Sequence, residues 1–127
     1  MFSYTTNLIL VITRAKLNGL GEHWGVQLQD GTVAHYTDDR NLLISSIEEF
    51  AQGRDVRIVR EVPPHEAAQV PQRLWHIITY PRAYDAINWN CEIFANWLTG
   101  ATPTSGQVTA WLVGGAVIGL MAVIAAA

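Results

Sequence analysis

Glu22-His23-Trp24-Gly25-Val26-Gln27-Leu28, then Gln29-Asp30-Gly31, then Thr32-Val33-Ala34-His35-Tyr36 is the stretch that decides how this chain folds. Two β-rich runs flank an Asp-Gly pair, which reads as a hairpin. The register has consequences, because side chains alternate between the two faces of a strand. A two-residue turn at Asp30-Gly31 would pair Val26 with His35 and put His23 and His35 on opposite faces. A three-residue loop with Gly31 in the left-handed bulge position pairs Val26 with Ala34 instead. Trp24, Val26, Leu28, Thr32, Ala34 and Tyr36 then share one mostly apolar face. His23, Gly25, Gln27, Val33, His35 and Thr37 share the other. The bulged register is the expected one. It makes the two histidines diagonal cross-strand neighbours, roughly 7–8 Å apart at Cα.

The flanking sequence extends this hairpin into an α+β unit. Leu8–Arg14 reads as a strand, and Asn18-Gly19-Leu20-Gly21 as a turn. Ser46-Ile47-Glu48-Glu49 fits a capping box for a short helix that stops at Gly53. Asp55–Glu61 is a further strand, broken by Pro63-Pro64. Pro71 suits the first turn of a helix running to about Thr79, and Pro81 ends that element. A second helix covers Cys91–Leu98, with Asn88 or Asn90 as its cap and Gly100 as its stop.

Charge is unevenly spread. The chain has 127 residues, with eight Lys and Arg against eleven Asp and Glu, a net charge of −3. That balance shows no basic patch and argues against nucleic acid as a partner. Every Asp, Glu, Lys and Arg lies at or before Glu92. Residues 1–100 therefore read as the globular domain and 101–107 as an uncharged linker. Val108–Ala127 is a run of twenty predominantly apolar residues. As a helix it would span about 30 Å, the thickness of a bilayer's hydrocarbon core. It is expected to be a C-terminal membrane anchor. Gly115 and Gly119 form a GxxxG pair that suits a helix–helix partner. Insertion from the C-terminal end would leave the globular domain on the cytosolic side.

Cys91 is the only cysteine, so no intramolecular disulfide can form. Its position in the first turn of a helix suggests a thiolate favoured by the dipole and free N–H groups, which would also stabilise an oxyanion. With a histidine base and a second polar group to orient it, this is the logic of nucleophilic catalysis. His65 and His76 read as structural or exposed. A zinc site of His23, His35 and Cys91 is disfavoured, since the chain lacks a close-spaced ligand pair. No metal or other cofactor is expected.

His23-Trp24-Gly25-Val26, Asp30-Gly31, His35-Tyr36 and Asn90-Cys91-Glu92-Ile93-Phe94 together resemble the lecithin:retinol acyltransferase-like family. These are the H-box/NC-box proteins, a circularly permuted branch of the NlpC/P60 papain-like superfamily. The resemblance spans about residues 5–108 and includes Tyr84. The most similar-looking members are the small phospholipase A/acyltransferases, which also end in a hydrophobic helix. The resemblance implies an antiparallel sheet packed with helices in the permuted papain-like order. It implies Cys91 as nucleophile, His23 as base and His35 as the orienting residue. A phospholipid or other acyl-bearing lipid would be the substrate, with an acyl-thioester intermediate. One residue departs from the pattern: Ile93 stands where the family box has histidine. A thiol peptidase or amidase, and a non-catalytic membrane-bound interaction module of the same fold, are the alternatives.

Overall fold

The hairpin forms in the bulged register. In a computed structural model of the chain, Val26 pairs with Ala34 and Gln27 with Val33. Leu28 N–H donates to Thr32 O at 2.7 Å, and Gly31 sits at φ +88°. The left-handed residue closing a three-residue loop is therefore Gly31, where a Cβ would be strained. The structure describes residues 8–17 and 20–102. The expected turn residues Asn18 and Gly19, and the linker and anchor helix from residue 103 onward, lie outside the described residues.

The hairpin strands are β2 (Glu22–Gln27) and β3 (Val33–Thr37) of a five-stranded antiparallel sheet. β1 (Leu10–Ala15) pairs with β2, β4 (Asn41–Ser45) with β3, and β5 (Arg57–Glu61) with β1, giving the order β4-β3-β2-β1-β5. The first four strands form a meander. The chain then crosses from one edge to the other through α1 (Ile47–Ala51), which opens on the expected capping box at Ser46. α2 (Pro64–Ala67), α3 (Val70–Thr79) and α4 (Cys91–Leu98) follow. The expected α+β class and antiparallel sheet are present. Among the described residues no helix is long and apolar enough to cross a membrane.

Two elements differ from the sequence expectation. β4 pairs with β3 along its whole length although Asn41-Leu42-Leu43-Ile44-Ser45 lacks strand alternation. A left-handed Asn41 at φ 59° closes its turn, so tertiary pairing rather than pattern makes it a strand. Pro64 not only ends the preceding strand but starts α2, because a proline at the first helical position loses no hydrogen bond.

Alternation splits the core across the sheet. Val11, Val26, Ala34 and Tyr36 pack with Val70, Ile77, Phe94 and Leu98 on the α3/α4 side. Ile12 and Val33 pack with Phe50 of α1 on the other. α4 ends as expected: Gly100 adopts φ +80°, its N–H reaches Trp97 O, and Ala101 N–H reaches Asn96 O at 2.9 Å.

Candidate active site

Because the register is bulged, His23 and His35 project from the same face of the sheet. His23 stands opposite Arg14 on β1, and His35 opposite Leu43 on β4. Their side chains meet directly, His23 Nε2 lying 2.8 Å from His35 Nδ1. Phe50 touches both rings. It stacks on His23 at 5.4 Å between centroids and meets His35 edge-on at 5.2 Å. On its far side His35 Nε2 lies 3.0 Å from Ser45 Oγ, and the Ser45 hydroxyl donates to Ser46 O at 3.2 Å. Arg14 ties the layer together, its Nε donating to Phe50 O at 2.7 Å.

Cys91 arrives from the opposite side of the sheet, as the first residue of α4. The loop before it is tightly built. Asp85 and Trp89 exchange two backbone hydrogen bonds of 2.9 Å, and Asp85 Oδ1 accepts from Ile87 and Asn88 N–H. Tyr36 OH donates to Arg82 O at 2.7 Å, and Arg82 lies 4.3 Å over the Trp89 ring. Of the two candidate caps, Asn90 is the one used: its Oδ1 accepts from Glu92 and Ile93 N–H, while its Nδ2 donates to Ala86 O.

The strands part where the thiol sits. Pairing of β2 with β3 stops at Val26–Ala34. Leu28 N–H points to β3, so by alternation Trp24 N–H and Glu22 C=O point the same way, into the opening. Cys91 Sγ lies there, 4.0 Å from Glu22 O, with Trp24 N–H directed at the sulfur. The thiol thus takes the place of a β3 partner beside the backbone of His23. Among the described residues no hydrogen bond joins the sulfur to either imidazole. Since His23 Nε2 is engaged by His35, the nitrogen left for the thiol is Nδ1.

Burial governs the charge state of all three. It lowers His23 to about 2, with help from the nearby His35, and lowers His35 to about 4. It pushes the Cys91 thiol up. The resting site is therefore a neutral thiol with neutral imidazoles. This corrects the expectation of a dipole-stabilised thiolate: Cys91 is only 2% exposed, and desolvation outweighs the helix terminus. A second correction concerns the oxyanion donors. Asn90 already takes Glu92 and Ile93 N–H, which leaves the N–H of Cys91 itself as the donor of the first turn.

A cleft of about 420 Å³ leads to the site, lined by Arg14, Lys16, His23, Tyr36 and Tyr84 among others. It reaches His23 without including the buried thiol in its wall. Burial, then the charge of a Cys91 thiolate, raises the phenol of Tyr84, which lines this cleft. His65 and His76 are exposed on α2 and α3, away from the pair. Among the described residues no group of three His, Cys, Asp or Glu is arranged to hold a metal.

Sequence reading missed Phe50, Ser45 and Arg14. Arg14 becomes visible once β1 is aligned with β2, as the cross-strand partner of His23. The other two depend on the α1 crossover and on β4. Comparison with protein families, with curated proteins and with solved structures returns no match.

Proposed function

We propose that this chain is a membrane-anchored, cysteine-dependent phospholipase A/acyltransferase of the lecithin:retinol acyltransferase-like kind. The observation that carries the reading is the hydrogen-bonded His23–His35 pair beside the strand opening that receives the helix-terminal Cys91. It supplies a nucleophile, a base and an orienting group on three rigid elements.

The cycle begins when a phospholipid ester enters the cleft. Cys91 passes its proton to His23 Nδ1 as the sulfur attacks the carbonyl carbon. The N–H of Cys91 donates to the oxyanion. The C–O bond to the glycerol oxygen then breaks, His23 returns the proton to that oxygen, and a lysolipid leaves. The acyl thioester on Cys91 is attacked by water or an amine, which gives its proton to His23. Fatty acid or amide leaves, and the sulfur recovers its proton. Residues 108–127 would hold the domain at the cytosolic face of a bilayer, where such esters are found, and Gly115 and Gly119 would suit a second helix.

The full chain in phospholipid micelles should release lysolipid and carry an acyl adduct on Cys91 by intact-protein mass spectrometry. Cys91→Ala should lose both. Equal lysolipid release by the mutant would overturn the mechanism. A Cys91-dependent product from peptides, with lipids inert, would point to a thiol peptidase instead.

One observation favours a second reading, a non-catalytic interaction module. The thiol is almost fully buried, and that burial pushes its pKa up. On that reading no adduct forms with lipid or peptide, and Cys91→Ala changes stability alone.

A further inference from the structure

We infer that Ser45 is a positioning residue of this site: its hydroxyl, held by the carbonyl of Ser46, fixes which nitrogen of each histidine carries the proton. The inference rests on the reading of Cys91 as nucleophile and His23 as its base, and it adds the reason His23 is in the basic tautomer.

Each proton along the row Ser46–Ser45–His35–His23 has one place to go. A serine hydroxyl has one hydrogen and can accept as well as donate. Ser45 spends its hydrogen on Ser46 O at 3.2 Å. Toward His35 it can then only accept, so the 3.0 Å contact requires a proton on His35 Nε2. A neutral imidazole has one N–H, which leaves His35 Nδ1 as an acceptor. The 2.8 Å contact between the histidines therefore uses the Nε2–H of His23. Nδ1 of His23 is left bare, and that is the nitrogen free to take a thiol proton. If the Ser45 hydroxyl instead turned to donate to His35, every bond in the row would reverse. Nδ1 of His23 would then carry the hydrogen and could not act as a base.

The acceptor that holds the Ser45 hydroxyl is itself fixed in place. Ser46 is the N-cap of α1. Its own hydroxyl accepts from Glu49 N–H at 3.0 Å, and its N–H donates to Glu49 Oε1 at 2.9 Å. Its carbonyl also accepts from Phe50 N–H at 3.0 Å. The acceptor for Ser45 is thus fixed by the same short helix that supplies the Phe50 ring. Ser45 itself is 8% exposed, at the wall of a cleft that also reaches His35. Arg14, Asp39, Arg40 and Glu49 line this second cleft together with His35 and Ser45, and among the described residues none of these four hydrogen-bonds the Ser45 hydroxyl.

The test uses the full chain in phosphatidylcholine–detergent micelles at neutral pH, with ¹⁵N-labelled histidine. Wild type should show both imidazoles neutral, protonated on Nε2 and bare on Nδ1. Ser45→Ala should give mixed tautomers at both residues and slow acylation of Cys91 by about tenfold or more, a part of the roughly 10²–10⁴-fold that a general base contributes. Ser45→Thr keeps the hydroxyl and should restore both readouts. A merely structural role would lower the melting temperature of Ser45→Ala and leave the nitrogen pattern unchanged, which would overturn the inference. So would opposite tautomers in wild type, or a folded Ser45→Thr that fails to restore them. Cys91→Ala is measured alongside. Lipid turnover surviving there overturns the acyl-thioester reading, while the nitrogen pattern still decides the tautomer question by itself.

Discussion

A Cβ on Gly25 would fall 2.7 Å from Cε1 of Phe50, so the ring rests directly on the strand backbone. From that depth the phenyl ring touches both imidazoles. Val33 Cγ1 would be met at the same 2.7 Å, which leaves a methyl group no side to move to. Gly25→Ala should therefore lift α1 off the sheet and separate the histidines. Overpacking of this kind costs about 1–3 kcal/mol. Urea unfolding should show the loss, and the cross-peak between the two imidazoles should vanish from nuclear Overhauser spectra. A midpoint equal to wild type would mean that the ring has slack.

The same burial sets an acid limit on stability. His23 and His35 are depressed well below the ordinary histidine value of about 6.5. The unfolded chain therefore binds their protons first as pH falls. Their contribution is complete above pH 6.5 and is lost progressively as pH drops toward the folded values. Each histidine should add a slope of about 1.4 kcal/mol per pH unit in that window. Carboxylates held low by hydrogen bonds, such as Asp30 and Asp85, begin to contribute only near their own lower range. Urea midpoints measured from pH 8 to 5 should stay level and then fall below about pH 6.5, and His23→Gln/His35→Gln should flatten that fall. A flat wild-type profile down to pH 5 would contradict buried neutral histidines.

Much of this geometry is legible from residues near in sequence. Asp30-Gly31 specifies a turn, and the loop length that gathers the apolar residues on one face also aligns the histidines. Asn90 and Gly100 bracket α4 because caps are local chemistry. β4 is not legible, since Leu42-Leu43-Ile44 shows no two-residue period and becomes a strand only by pairing with β3. Nor is the role of Phe50: on a five-residue amphipathic helix it reads as ordinary core, and its contact with the imidazoles depends on a crossover and on the missing side chain of Gly25. The charge state of Cys91 is not legible for a related reason. A helix terminus is visible in sequence, but the desolvation that outweighs it is a property of the packed sheet.

A buried protonated thiol makes a kinetic prediction. With its pKa raised by burial, Cys91 should react with iodoacetamide more slowly than free cysteine at pH 7. Its rate should climb with pH and show no plateau below pH 9. A resting thiolate–imidazolium pair would instead give a plateau at acidic pH. His23→Gln should leave the slow resting rate nearly unchanged, because the neutral histidine is not ion-paired with the sulfur. A large drop in that variant would show that the pair is already charged before substrate binds.

The N-cap separates stability from chemistry. Asn90 Oδ1 accepts from Glu92 and Ile93 N–H at 3.1 and 3.0 Å, and both residues are at most 7% exposed. Water cannot substitute there, so Asn90→Ala should cost about 2 kcal/mol, the upper end for a lost cap. Asn90→Asp keeps the acceptor and suits the positive end of the helix, but it loses the Nδ2 donor to Ala86 O, so it should recover only part of that loss. It also sets a negative charge next to Cys91, which raises the thiol further. The Asp variant should therefore unfold at a midpoint between those of Asn90→Ala and wild type, yet alkylate several-fold more slowly than either at pH 8. If stability and reactivity moved together in both variants, the cap would act on the sulfur only by holding α4 in place.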